Sequence, residues 1–245
     1  MKNARGFTLV ELAIVMIIIG LLIGGILKGQ ALVESSRLNR TVSQVKGYQA
    51  AHTVFYDSYK AYPGDIVRAD TRLPNCSNAN HCTSGNGDMR IGTVRPEVRL
   101  DVSGPTENTQ YWKHLAITGL IGDVQQAADP NAPEWGVTYP EAAIEGGFQV
   151  VFSSQQQAGV FDWTGHWLRL QRNASGDSNE IPGEYAVTPH QARMIDSKMD
   201  DGFPGSGEVQ SYDTGPGPVA GCEGPLPYDE AFIQKNCNLI FRLHL

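Results

Sequence analysis

Glu11 is the one carboxylate in an otherwise aliphatic run, RGFTLVELAIVMIIIG, between Arg5 and Gly20. A charge at that depth costs a few kcal/mol on insertion scales and marks a functional residue unless a local partner explains it. The local explanation is a helix N-terminus, where the macrodipole favours an acid. Cysteines give the second chemical signal. Cys76 and Cys82 form one close pair, Cys222 and Cys237 another, both in loop-like sequence. An even count on a chain with an apolar leader reads as disulfides in an oxidising compartment. Four cysteines allow three pairings, and the local one, 76 with 82 and 222 with 237, is expected. A zinc site built from Cys76, His81 and Cys82 lacks a second half-site.

A third group is acidic: Asp196, Asp200 and Asp201, then Glu208 and Asp213 beyond a turn. Oxygen ligands suit Ca²⁺, although EF-hand spacing is absent. Asp200, Asp201, Glu208 and Asp213 are the candidate ligands, with solvated surface acids as the alternative. The six histidines, His52, His81, His114, His166, His190 and His244, are scattered through the chain. The sequence holds no GxSxG, HExxH, P-loop or CxxC, so catalysis has no motif to stand on and no enzyme is expected. No cofactor other than calcium is suggested. The formal net charge of −7 and the lack of a basic block disfavour a nucleic-acid partner.

The elements that position these groups follow from periodicity. Phe7 to Leu27 is 21 residues, enough at about 1.5 Å per residue to cross a bilayer core of about 30 Å. Lys2 and Arg5 precede it and belong on the cytoplasmic side. After Gly29, Leu38, Val42, Val45, Gln49/Ala51, Phe55 and Tyr59 recur at spacings of three and four, one stripe of an amphipathic helix. A single helix from about Phe7 to Tyr59 is therefore expected, ended by Pro63 and Gly64. Asp65 to Pro105 reads as a long loop or small subdomain with one short strand. Further helices are expected in TENTQYWKHLAITGLIGD, with Thr106 and Gly119 as caps, and after Thr188-Pro189. Strands are expected at Phe148–Ser153, Val160–Trp163, His166–Gln171, in GEVQSY and in CNLIFRLHL, with WTGHW as a hairpin turn. The fold class is α+β, a long N-terminal helix on an antiparallel sheet with long loops.

The stretch GFTLVEL resembles the class III signal of type IV prepilins and of the pseudopilins of type II secretion. AYPGD, WKHLAITGLI and IDSKMDDGFPGSGEVQ are similar to segments of large pilin-like proteins, and the layout resembles the pilin fold. The head departs from the compact pilin head by its length, its additional cysteine pair and two long loops. The resemblance implies cleavage by a prepilin peptidase after Gly6 and methylation of Phe7. It also implies that Glu11 meets the N-terminal amine of a neighbouring subunit. The expected organisation is a leader at 1–6, a transmembrane and filament-core helix at 7–29, its amphipathic continuation at 30–61 and a head at 62–245. The implied function is a structural subunit of a type IV pilus or type II secretion pseudopilus. The alternative is a minor pilin whose head binds a surface, DNA or cargo. Implied partners are copies of itself, other pilins and the assembly machinery. The implied place is the bacterial inner membrane, head in the periplasm, before assembly into a pilus or pseudopilus. Some pseudopilins carry a C-terminal calcium site, which the resemblance extends to the acidic group above.

Overall fold

The computed structural model describes residues 8–92, 106–153, 156–157, 161–162, 164–174, 185–212, 221–222 and 226–244. Helix α1, Leu9–Tyr59, is 51 residues long, about 76 Å at 1.5 Å per residue. Among the described residues it alone is long and apolar enough to cross a membrane. Its two halves differ completely. From Leu9 to Lys28 every side chain is exposed. Further on, Leu38, Thr41, Val42, Val45, Tyr48, Ala51, His52 and Phe55 are buried, the expected apolar stripe with Thr41, Tyr48 and His52 added and Tyr59 only partly buried. Gln49 lies at the edge of that stripe and donates to the Arg242 carbonyl at 2.9 Å. The helix stops at Lys60, which enters the left-handed region at φ 50 and donates to Tyr56 O at 2.7 Å. The stop thus comes before Pro63 rather than at it.

The stretch 65–92 holds a short helix, α2 (Ala69–Arg72), and a 3₁₀ turn (Asn78–Asn80). It has no strand among its described residues; carboxylates and the Cys76–Cys82 bridge order it instead. Helix α3, Glu107–Ile117, is buried from Asn108 to its end. It ends at Thr118 with Gly119 at φ +73. Leu120 N–H reaches Leu115 O at 3.0 Å and Gly119 N–H reaches Ala116 O at 3.1 Å, a Schellman closure that needs a residue tolerant of positive φ. Helix α4, Pro189–Met199, starts with a capping box between Thr188 and Gln191 and with proline in its first turn.

The main sheet is antiparallel with order β1 (Gly147–Ser153), β4 (Gly165–Gln171), β6 (Asn238–Leu243), β5 (Val209–Tyr212). Phe148, Val150, Leu168, Leu170, Leu239, Phe241 and Val209 form its core face against buried residues of α1, α3 and α4. β2 (Gln156–Gln157) and β3 (Phe161–Asp162) pair only with each other. This corrects the expected hairpin through WTGHW. Gly165 is not a turn residue; it pairs with Ser153, because β4 takes β1 as partner and leaves the short ribbon between them. Trp163 lies outside the described residues. The arrangement is α+β and pilin-like, a long helix laid along a four-stranded sheet.

Candidate functional site

At the start of α1, Thr8 is the N-cap and Glu11 stands three residues on. The Glu11 carboxylate accepts from the Thr8 backbone N–H and from its hydroxyl, both at 2.8 Å. The Glu11 N–H returns a bond to Thr8 Oγ1 at 3.3 Å. Within one chain, then, the carboxylate has a local role: it completes a capping box and satisfies N–H groups that the first turn leaves open. It is fully exposed to whatever surrounds the helix. Gly6 and Phe7 lie outside the described residues. Leu9, Ile14, Ile17, Leu21 and Ile26 are each more than half exposed.

The joint between α1 and the head is made of buried polar groups. His52 on α1 is fully buried; its Nδ1 meets the Tyr111 hydroxyl at 3.2 Å, and its ring stacks on Tyr62 at 5.3 Å between centroids. His166, first of the buried β4 residues, lies 4.4 Å from the Tyr62 ring. Among the described residues, the Nε2 atoms of His52 and His166 are buried without a hydrogen-bond partner. Burial pushes the His52 imidazole down to about 4. Burial, reinforced by the nearby His52, pushes His166 down to about 3. His114 on α3 accepts the Gly64 N–H at Nδ1, 2.9 Å, which leaves Nε2 to donate to the Thr83 carbonyl at 2.9 Å. That arrangement requires the neutral ring, and burial accordingly holds His114 down to about 4. Gly64 stands at φ +88, and a Cβ there would run into the Glu107 carbonyl, so α3 and the end of α1 touch backbone to backbone.

Two acids hold the loop beside this joint. Asp65 accepts the N–H groups of Gly87, Asp88 and Met89 at 2.6, 3.1 and 2.8 Å. Glu107 accepts those of Asn86 and Gly92 at 2.9 and 2.8 Å. Desolvation raises the pKa of both carboxyl groups above the ordinary value despite these bonds. Neither acid was singled out from the sequence. Their 42-residue separation leaves no local spacing to find, and only the proximity of AYPGD to a helix end points to Asp65.

The acidic turn after α4 comes together differently from the expected ligand set. Asp196, Asp200 and Asp201 each bring a carboxylate oxygen within 4.8 Å of the others. Protein donors hold all three. Asp196 accepts from the Tyr228 hydroxyl at 2.9 Å and Gly202 N–H at 3.1 Å. Asp200 accepts from the N–H groups of Glu208 and Val209. Asp201 accepts from Phe203 N–H at 2.8 Å and the Ser206 hydroxyl at 2.6 Å. The Glu208 carboxylate turns away to His244, and Asp213 lies outside the described residues. Of the expected ligands, Asp200 and Asp201 are brought together, with Asp196 as their neighbour, and each already accepts protein hydrogen bonds. Burial drives Asp196 up to about 7, with Asp200 and Asp201 adding to the shift.

Cys76 is bonded to Cys82, and Cys222 to Cys237. The first bridge closes the 3₁₀ turn. The second ties the 222–237 loop to the start of β6, where Cys237 and Val187 exchange backbone bonds at 3.0 and 3.2 Å.

Residues 1–27 match the family model of the prokaryotic N-terminal methylation motif. This is the signal of type IV pilins and pseudopilins, and the chain carries it at the start of a helix whose first half its own head leaves bare. No curated protein and no solved structure gave a significant match to the chain.

Proposed function

We propose that this chain is a prepilin-like structural subunit. A prepilin peptidase cuts it after Gly6 and methylates Phe7, and it then assembles through α1 into a type IV pilus or a type II secretion pseudopilus. In this reading residues 1–6 are the leader, 7–29 the membrane and filament-core helix, 30–61 its amphipathic continuation and 62–245 the head. The head faces the periplasm until assembly. The observation that carries the reading is the coincidence of the methylation motif with an uncovered apolar half-helix.

Glu11 supplies the register. While the chain is in the membrane its carboxylate caps its own helix; in a filament it faces the positive amine of a neighbour's Phe7. A buried charge left unpaired is costly, so a misaligned subunit is penalised more than an aligned one is stabilised. The enlarged head, with a bridged loop at each of two places, favours a second reading as a minor pilin that binds a surface, DNA or cargo. Intact-protein and N-terminal mass spectrometry of membrane and sheared-surface fractions tests the first reading. The expected mature chain begins at methylated Phe7. A chain that still begins at Met1, or one cut near Gly25, overturns it. Abundance in sheared material separates a major subunit from a minor one.

A further inference from the structure

Helix α4 runs beside α1 in the same direction. Gln191 Nε2 donates to Glu34 at 2.9 Å, and Lys198 Nζ to Asn39 at 2.8 Å. The first turn of α4 therefore faces the apolar end of α1. Residues 229–232 pack on that turn. A Cβ on Gly221 would touch Pro189 at 3.0 Å and Phe232 at 3.3 Å, Asp229 N–H bonds the Gly221 carbonyl at 3.0 Å, and Glu230 pairs with His190 and Arg193. Lys235, at the end of the loop, pairs with Glu145. A groove of about 560 Å³ lies between Ile144, Gln191 and Lys235 on the head and Ile26, Gly29 and Gln30 on α1. This part of the head is thus its base, and it reaches down to the last turn of the apolar run.

The length of that run fixes where the base sits. If Phe7 to Leu27 fills a hydrocarbon core of about 30 Å, the headgroup layer beyond it is roughly 5–8 Å deep, or about three to five residues of helix. Positions 28–32 of α1 lie in that layer, level with the groove. At the same end Phe232, beside Gly221 and the Pro189 turn, is exposed at 41% and its neighbour Ile233 at 86%. Elsewhere on the described head, the large exposed apolar residues include Val67, Met89 and Phe203. Apolar side chains next to the headgroup level of the helix that anchors them are continuous with the membrane-facing surface of that helix.

We infer that the segment 229–235, anchored by the Cys222–Cys237 bridge, is a membrane foot, whose Phe232 and Ile233 enter the interfacial layer of the head-side leaflet before the subunit joins a filament. The foot fixes the tilt of α1 and holds the head against the bilayer until assembly lifts it off. The inference rests on the reading of 7–29 as a membrane span. The test places p-benzoylphenylalanine at Ile233, and separately at Ile19 and Met89, in the full chain reconstituted in nanodiscs of phosphatidylcholine and phosphatidylglycerol. Irradiation is expected to give lipid adducts at 19 and 233 and none at 89. Adducts at 19 with none at 233, or a copy-to-copy adduct at 233, overturn the foot while leaving the span intact. No lipid adduct at 19 overturns the span itself, and the foot with it.

Discussion

The two halves of α1 belong to one unbroken helix and obey opposite rules. From Leu38 to Phe55 the apolar residues are spaced three and four apart and buried against α3, α4 and the sheet. From Leu9 to Leu27 they occur on every side, and all are exposed. A helix that is apolar all round finds its partners in lipid or in other helices. The distal half is finished by its own chain; the proximal half is completed only by something outside it. The same contrast governs the polar residues. Those of the distal half, such as His52 and Gln49, bond to the head, whereas Glu11 bonds only to its own N-cap.

Substitutions should therefore act on different observables in the two halves. Phe55→Ala removes a fully buried ring and is expected to cost the head about 3–5 kcal/mol, read as a lower denaturation midpoint of the chain in detergent. Next in size is the Cys222–Cys237 bridge, which spans 15 residues. Replacing both cysteines with alanine should cost about 3 kcal/mol by loop entropy and loosen the 226–235 segment in hydrogen exchange.

Acid should weaken the joint between stalk and head. The unfolded histidine titrates near 6.5, whereas His52 and His114 are held down to about 4 and His166 to about 3. The folded state thus binds fewer protons than the unfolded one. Stability is fully present above about pH 6.5 and falls as the pH drops from there towards 4, each histidine contributing up to about 1.4 kcal/mol per pH unit. Asp196 acts in the opposite sense. With its folded pKa up near 7 against an ordinary 3.8, acidification over that range favours the fold and offsets about one histidine. Asp65 and Glu107, also raised, work in the same direction as Asp196. Midpoints measured from pH 7.5 to 4.5 should decline, and decline more steeply in Asp196→Asn. A flat profile in both proteins would show that the histidines are protonated without cost.

The smallest effects are the expected nulls. Ile17→Ala, in the exposed half of α1, should leave the head's midpoint within about 0.5 kcal/mol. Added Ca²⁺ should leave it unchanged as well, because protein donors already close the Asp196–Asp201 turn. A rise in midpoint that Asp200→Asn abolishes would show that an ion takes part in closing it.

What the sequence disclosed is local. The end of α1 near Tyr59, the Thr188-Pro189 start of α4, the Gly119 stop of α3 and the closing strand are each written in a few adjacent residues, and the structure places them within a residue or two of the expectation. The rest was not legible because it depends on distant partners. Asp65 meets its N–H donors 22 to 24 residues away, and His52 meets Tyr111 across 59. The β2–β3 ribbon exists because β1 claims β4, a choice that strand propensity does not encode. Glu11 was conspicuous by its type alone, and a place at a helix start was expected for it; the capping box with Thr8 is what the structure adds.

In the proposed filament the charge of Glu11 acts between subunits, beyond the cap that its carboxylate forms within its own helix. Glu11→Gln is the direct test, since glutamine keeps the capping box and loses only the charge. The measurement is the amount of chain in sheared filaments and in chemically cross-linked multimers, against an unchanged amount of monomer in the membrane. The account predicts a loss of assembled chain of at least about tenfold, equivalent to ~1.4 kcal/mol, with the head's denaturation midpoint unaltered. Assembly at the wild-type level would show that Glu11 serves its own helix and nothing more.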